Sequence, residues 1–149
     1  MSYDVDVVST QTVTMAVARA TLPPGQIGEH IIELFDRVYA FLKTAKVKQA
    51  GQNIALYLNG AVDLEVGVPV TAPFEDTATV YCSSLPAGQA AHAVHYGPYS
   101  ELVGAHDAVR KWCADRGLAL TGVSWEIYGH WNDDPSLLRT DVYWLLKER

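Results

Sequence analysis

Apolar residues that recur every three or four positions between residues 26 and 46 constrain the fold of this chain more than any other feature. They predict one long helix with a single apolar stripe, formed by Ile27, Ile31, Leu34, Phe35, Val38, Phe41, Leu42 and Ala45. A predicted strand at residues 12–20 and the turn signal Leu22-Pro23-Pro24-Gly25 precede this helix. Gly51 closes the helical region, and two alternating strands follow at 53–58 and 62–68, joined at the hairpin-type turn Asn59-Gly60.

The same order of elements returns in the second half of the chain. After a connector at residues 69–78, the predicted elements are strand segments at 80–84 and 89–96, a helix at 99–116 that Gly117 ends, and strands at 123–128 and 140–146. We therefore predict a single domain over residues 1–149, built from two βαββ repeats at about 5–70 and about 77–146. The predicted fold class is α+β with pseudo-two-fold symmetry, in which an antiparallel sheet carries both helices on one face and a ligand cleft on the other.

The charge of the chain argues against nucleic acid as a direct partner. The formal net charge is -6, with 17 acidic against 11 basic residues, and the pair Arg110-Lys111 is the longest basic run. The N-terminus lacks a basic region followed by an apolar run, and no apolar run approaches roughly 18 residues. We expect a soluble, cytoplasmic protein with no membrane partner.

Candidate metal and nucleophile sites are weak. Cys82 and Cys113 are far apart and form no metal-type pair, and His92 and His95 should point to opposite faces of a strand, so we predict no metal and no cofactor. No Gly-x-Ser-x-Gly turn presents a serine for hydrolysis. His106 lies within the apolar stripe of the second helix and is interpreted as a hydrogen-bonded core histidine rather than a general base.

Trp125-Glu126-Ile127-Tyr128 places a carboxylate among aromatic residues in the middle of a predicted strand. Burying an unpaired carboxylate costs several kcal/mol, so Glu126 should face water, a partner or a ligand pocket. Because side chains alternate along a strand, we expect Val123, Trp125 and Ile127 to lie under the helices and Glu126 and Tyr128 to lie on the open face.

The same alternation assigns faces to the other strands. Leu64, Val66 and Val68 in the first half, and Val142, Trp144 and Leu146 in the second, should pack under the helices. The open face should then present Tyr57, Asp63, Glu65, Glu126, Tyr128, Asp141 and Tyr143, with Tyr96 and Tyr99 near the head of the second helix. Aromatic rings and carboxylates together suit flat cationic ligands, although a solvated sheet face has a similar composition.

Several segments together resemble the GyrI-like small-molecule-binding family, which shares its fold with the effector-binding domains of multidrug-responsive transcription activators. They are residues 62–70, Leu85-Pro86-Ala87-Gly88, His95-Tyr96-Gly97-Pro98-Tyr99, Trp125-Glu126-Ile127-Tyr128 and residues 138–143. The resemblance implies a duplicated βαββ fold that binds aromatic, often cationic, compounds between its halves. It places Glu126 at the characteristic pocket carboxylate and Tyr128, Asp141 and Tyr143 at neighbouring pocket positions.

The chain departs from the family pattern at two places. Tyr143 is followed by Trp144-Leu145-Leu146 instead of an aliphatic Ile-Pro ending, and the loop at residues 129–135 adds His130 and Trp131 at the possible mouth. Both departures bear on ligand preference.

The resemblance leaves three functional hypotheses. The leading one is binding of aromatic, cationic or amphipathic small molecules, for sensing or sequestration. The alternative is hydrolysis of cyclopropanoid genotoxins, in which Glu126 orients or deprotonates a water and a tyrosine such as Tyr143 hydrogen-bonds the carbonyl that collects negative charge. A third is interaction with a gyrase-type protein partner. Because no helix-turn-helix module precedes the first strand, we expect no direct DNA binding.

Overall fold

The computed structural model of the chain describes residues 3–23, 26–59 and 63–148, and within them two strands precede the first α-helix, four lie between the two α-helices and two follow the second. The strands are β1 (Asp6–Thr10), β2 (Val13–Thr21), β3 (Ile54–Asn59), β4 (Asp63–Pro69), β5 (Tyr81–Leu85), β6 (Gly88–Tyr96), β7 (Leu120–Tyr128) and β8 (Arg139–Leu146). The α-helices are α1 (Ile27–Ala45) and α2 (Leu102–Asp115), and short 3-10 helices occupy Tyr99–Glu101 and Pro135–Leu137. The predicted turns at Pro24-Gly25 and Gly60 lie outside the described residues. Neither α1 nor α2 is long and apolar enough to cross a membrane.

The strands form one antiparallel sheet in the order β1-β6-β8-β7-β3-β4-β2-β5. The order is symmetric about the β7–β3 junction when β1 to β4 are matched with β5 to β8. The first strand of each half of the chain pairs with the second strand of the other half: β1 pairs with β6, and β5 pairs with β2. The α+β class with an antiparallel sheet is confirmed, whereas the duplication of the two βαββ modules stays a prediction. The sequence analysis missed β1, a short and largely exposed edge strand.

Helix α1 packs on the sheet through the apolar stripe that its sequence predicts. Leu34, Val38 and Leu42 are buried against residues of β2, β3 and β4. The helix ends at Ala45, and the capping residue Lys46 has a left-handed backbone (φ 58°) and donates its N–H to the carbonyl of Leu42. Gly51, expected to close this region, lies in the loop before β3 and does not end the helix.

Helix α2 covers the other half of the same face. Its buried residues contact β6 and β8, and Val142 lies among them. Gly117 ends this helix as predicted, because its φ of 66° suits glycine and allows the Leu118 N–H to reach the Cys113 carbonyl at 2.9 Å. We call the side of the sheet that α1 and α2 cover the helix face.

The prediction for the faces of β7 was wrong. Glu126 is the cross-strand partner of Val142 and Tyr128 that of Thr140, so Glu126 and Tyr128 lie on the helix face with Val142. Trp125 and Ile127 belong to a second apolar core on the opposite face of the curled sheet. Because both faces carry an apolar core, the apolar set of a strand does not by itself identify the helix face.

Of the remaining predictions about which face a residue lies on, most are confirmed and one is wrong. Leu64, Val66, Val68, Val142, Trp144 and Leu146 pack under the helices as predicted. Tyr57 was expected on the open face, but it pairs with Leu64 and Ser124 and lies on the helix face. Tyr143 lies on the opposite face, where its ring stacks on Trp125 with centroids 5.3 Å apart.

Candidate functional site

A cavity of about 760 Å³ opens on the helix face, between α1, the β3–β7 strand pair and the start of α2. Its lining residues are Ile27, Gly28, Ile31, Ile32, Phe35, Tyr39, Gln49, Gln52, Asn53, Tyr57, Tyr99, Leu102, Glu126, Tyr128, Gly129, His130 and Trp131. The cleft was expected on the face away from the helices, and this cavity lies on the side that the helices cover. The corrected faces of β3 and β7 explain the difference, since they direct Tyr57, Glu126 and Tyr128 toward it.

One wall of the cavity is apolar because of a second row of residues on α1. Ile27, Ile31 and Phe35 recur at four-residue spacing beside the stripe that packs on the sheet, and all three line the cavity. The Tyr128 ring meets Phe35 edge-on at 6.3 Å and Tyr99 at 5.5 Å between centroids. This wall offers aliphatic and aromatic surface to a flat ligand.

Glu126 supplies the carboxylate of the cavity and is only 5% exposed. Its Oε1 accepts hydrogen bonds from the hydroxyl of Tyr57, at 3.1 Å, and from the hydroxyl of Tyr128. Its Oε2 lies 2.6 Å from Nε2 of His106, on α2. Three donors therefore compensate the loss of water around this carboxylate.

His106 also contacts the last strand. The indole Nε1 of Trp144 donates to Nδ1 of His106 at 2.9 Å, and the two rings meet edge-to-face. We call Glu126, Tyr57, Tyr128, His106 and Trp144 the Glu126 network. The interpretation of His106 as a hydrogen-bonded histidine is confirmed, but its contact with Glu126 was not foreseen.

The two tyrosines of this network are held in their neutral form. Burial raises the pKa of the Tyr57 phenol above its ordinary value of 10.0, and the negative charge of Glu126 raises it further. The same causes, in the same order, raise the pKa of Tyr128. Both hydroxyls therefore stay protonated and act as donors to Glu126 at neutral pH.

These raised pKa values predict that the protein loses stability in alkaline solution. Tyrosines of the unfolded chain ionise near pH ~10, whereas Tyr57 keeps its proton in the folded state, so the unfolded state gains an advantage as the pH rises above that value. Each such tyrosine should lower the free energy of unfolding by up to about 1.4 kcal/mol per pH unit above about 10. Denaturant unfolding at several alkaline pH values should show a shallower fall for Tyr57→Phe than for the wild type. Equal slopes would contradict the assignment.

The far end of the cavity is polar. Asn53 accepts a hydrogen bond from the Tyr39 hydroxyl, and Nε2 of Gln52 lies 3.3 Å from Nε2 of His130. Trp131 is 71% exposed at the mouth, and its indole donates to Asp133 at 3.2 Å. The cavity therefore combines a buried carboxylate, an apolar wall and an opening lined by polar groups and Trp131.

Five of the nine residues proposed from the sequence line this cavity: Tyr57, Tyr99, Glu126, Tyr128 and Trp131. The other four lie elsewhere. Tyr96 is exposed at the end of β6, and Tyr143 stacks on the opposite face. The expectation that Glu126 and Tyr143 share one surface was wrong, because adjacent residues of β7 and β8 alternate between faces and the register pairs Tyr143 with Trp125.

Glu65 and Asp141 differ from Glu126 in their partners. Glu65 is 4% exposed and accepts from Nε of Arg19 at 2.7 Å. Asp141 accepts from Nε of Arg139 at 2.8 Å and contacts Nε2 of His92 at 2.8 Å. Burial raises the pKa of Asp141, but the bonds and charges of Arg139 and His92 outweigh it and leave that pKa lowered.

Several solved structures of other proteins share the fold of this chain. The C-terminal domain of EcmrR aligns over 100% of both chains, with a TM-score of 0.87 and 20% identity. The chain spans 59% of the EcmrR chain solved in a complex with DNA. SAV2435, solved bound to tetraphenylphosphonium, matches at a TM-score of 0.69 and 14% identity, over 99% of this chain and 94% of its own.

A hydrolase from Listeria innocua matches at a TM-score of 0.65 and 13% identity, over 98% of this chain and 93% of its own. At such identities these structures show a common fold. No curated protein sequence matches the chain significantly. The sequence model of the GyrI-like small molecule binding domain matches residues 3–147, and the chain therefore belongs to that family.

Proposed function

We propose that the cavity binds amphipathic aromatic cations, for sensing or sequestration. The observation that carries this proposal is the charge of the Glu126 network. Among the described residues, the hydrogen-bond partners of Glu126 are two phenols and an imidazole, whereas Glu65 and Asp141 each have an arginine. Glu126 thus has donors but no cationic side chain, and a ligand can supply the missing positive charge.

The walls around Glu126 suit the rest of such a ligand. Tyr99, Tyr128 and Phe35 offer ring faces and edges, and electron-rich aromatic faces attract cations. The volume of about 760 Å³ lies in the range of cavities that hold drug-sized molecules. The structural neighbour SAV2435 was solved with tetraphenylphosphonium, a lipophilic aromatic cation, which supports the same ligand class.

The proposal is tested with two ligands of nearly equal shape and different charge. N-methylacridinium carries a permanent positive charge, whereas acridine is uncharged in mildly alkaline solution. Calorimetric titration should show at least about tenfold tighter binding of N-methylacridinium, because two opposite charges about 4 Å apart attract by up to about 4 kcal/mol at a partly buried site, and aromatic rings add about 0.5–2 kcal/mol of cation–π attraction. The preference should persist at high salt, since screening weakens buried pairs much less than exposed ones. Equal affinities, or no binding of either ligand, would refute the proposal.

The geometry supports hydrolysis by Glu126 and Tyr143 less well. Tyr143 lies on the opposite face of the sheet from Glu126, so the two cannot act on one ligand in this cavity. Both oxygens of Glu126 already accept hydrogen bonds, which favours a fixed charge partner over a base that must capture a water proton.

A further inference from the structure

The position of the His106 proton follows from its two partners. The indole N–H of Trp144 can only donate, so Nδ1 of His106 must accept and carries no proton. The proton of the neutral ring is then on Nε2, where it is donated to Oε2 of Glu126 at 2.6 Å. We assign His106 as the neutral Nε2–H tautomer on the basis of this geometry.

A doubly protonated His106 would change the charge of the cavity. A proton on Nδ1 would face the Trp144 N–H, donor against donor, and the resulting imidazolium would neutralise Glu126. Trp144 thus opposes a protonation event that would cancel the negative charge of the site.

We propose that Trp144 and His106 act together as positioning residues that keep the carboxylate of Glu126 unneutralised and thereby set the cavity's selectivity for cations. The inference rests on the proposed function, since it explains how that function's charge preference is maintained. Trp144 acts only through His106, and neither residue is among those that line the cavity.

Other charged and titratable groups also lie near His106. Glu126 on β7 bonds to the ring, Tyr57 on β3 meets it edge-on at 6.4 Å, and Tyr128 contacts Glu126. Arg110, one turn along α2, lies over the Trp144 ring at 5.5 Å and is paired with Asp107. The Trp144 ring therefore contacts both the cationic Arg110 and His106.

The test removes the indole N–H with Trp144→Phe. An imidazole freed from Trp144 has an open Nδ1 that can take a second proton as the pH falls. If the protonated form does not bind cations, the dissociation constant of N-methylacridinium for this variant should rise at least about fivefold between about pH 7.5 and about pH 5.5, because protonation of His106 lowers the fraction of protein that can bind. The wild type should change by less than about twofold over the same range.

Two further variants separate this role from a structural one. Trp112→Phe trims another partly buried tryptophan of the α2 cluster and should keep the wild-type pH profile. The double variant Trp144→Phe/His106→Gln replaces the imidazole by an amide that still reaches Glu126 and does not titrate, so it should restore a flat profile. A Trp144→Phe profile that follows the wild type would overturn the proposal.

A spectroscopic measurement tests the assignment without a ligand. Long-range proton–nitrogen correlation spectra distinguish the two neutral tautomers and the imidazolium, and the spectrum of His106→Gln identifies which of the five histidines is His106. We expect the Nε2–H tautomer in the wild type throughout this pH range and the imidazolium in Trp144→Phe at the acidic end. A wild-type imidazolium or Nδ1–H tautomer at neutral pH would overturn the assignment. A wild type with the expected tautomer but no cation preference would overturn the proposed function and the selectivity role together.

Discussion

Glu126→Gln is expected to weaken binding of N-methylacridinium by about ten- to a hundredfold and to change binding of acridine by less than about twofold. The substitution removes the negative charge and keeps the shape of the side chain. The hydroxyls of Tyr57 and Tyr128 can still donate to an amide oxygen. The measurement is calorimetric titration of both ligands into both proteins.

The amide should also cost the protein a small amount of stability. If the amide nitrogen of the new side chain faces His106, its N–H group meets the Nε2–H of the imidazole, and neither donor has an acceptor there. His106 or the amide must then reorient, and the loss of one hydrogen bond costs about 1 kcal/mol. The folded protein should remain intact, so a change in ligand preference reports on charge.

Glu65→Gln is the matched control for this experiment. Glu65 is as buried as Glu126, but it lies on the opposite face and is paired with Arg19. Its substitution should lower the melting temperature through the broken ion pair and leave both ligand affinities unchanged. A loss of N-methylacridinium affinity in Glu65→Gln equal to that in Glu126→Gln would show that neither carboxylate acts specifically.

The long helix in each half of the chain was predictable because the sequence pattern of a helix is local. The stripe of α1 repeats over five turns, and the structure places that helix within one residue of each predicted end. In the second half the predicted helix begins as a 3-10 turn at Tyr99 and becomes α-helical only at Leu102. The strand β1 has few buried residues, so its sequence carries little pattern.

The faces of the strands were less predictable because they depend on register. The sequence predicted Val142 under the helices and Glu126 on the open face. The two residues are direct cross-strand partners, so they must lie on the same face. Their pairing cannot be deduced from either strand alone. Trp125 added to the error, since it is 1% exposed in the core of the opposite face and resembles a residue packed under a helix.

Two polar residues in apolar surroundings are the sequence signal for the Glu126 network. His106 is a polar residue in the apolar stripe of a helix, and Glu126 is a carboxylate in an apolar strand, so each needs a partner. Joining them requires the docking of α2 on β6 and β8, next to β7, which is a property of the tertiary structure. A buried polar residue on each of two neighbouring elements is therefore a reason to test them as a pair.

The other large effect is expected from Gly67→Ala, in the middle of β4. A methyl group at residue 67 would lie 1.8 Å from the carbonyl oxygen of Ala16 and 2.9 Å from Cα of Val17, both in β2. These are backbone atoms of a paired strand, so the clash cannot be relieved by rotating a side chain. The free energy of unfolding should fall by about 3 kcal/mol or more, which corresponds to a melting temperature lower by about 6–12 °C.

Gly104→Ala provides the opposite expectation in the same protein. Gly104 lies in α2, and a methyl group there would meet the Tyr3 hydroxyl at 3.7 Å, an ordinary contact. Alanine is favoured over glycine in a helix by up to about 1 kcal/mol, so this variant should be at least as stable as the wild type. If Gly67→Ala unfolds at the same denaturant concentration as Gly104→Ala, β2 and β4 do not approach as closely as the structure places them. Since β4 also pairs with β3, which carries Tyr57, the positions of the cavity residues depend on that close approach.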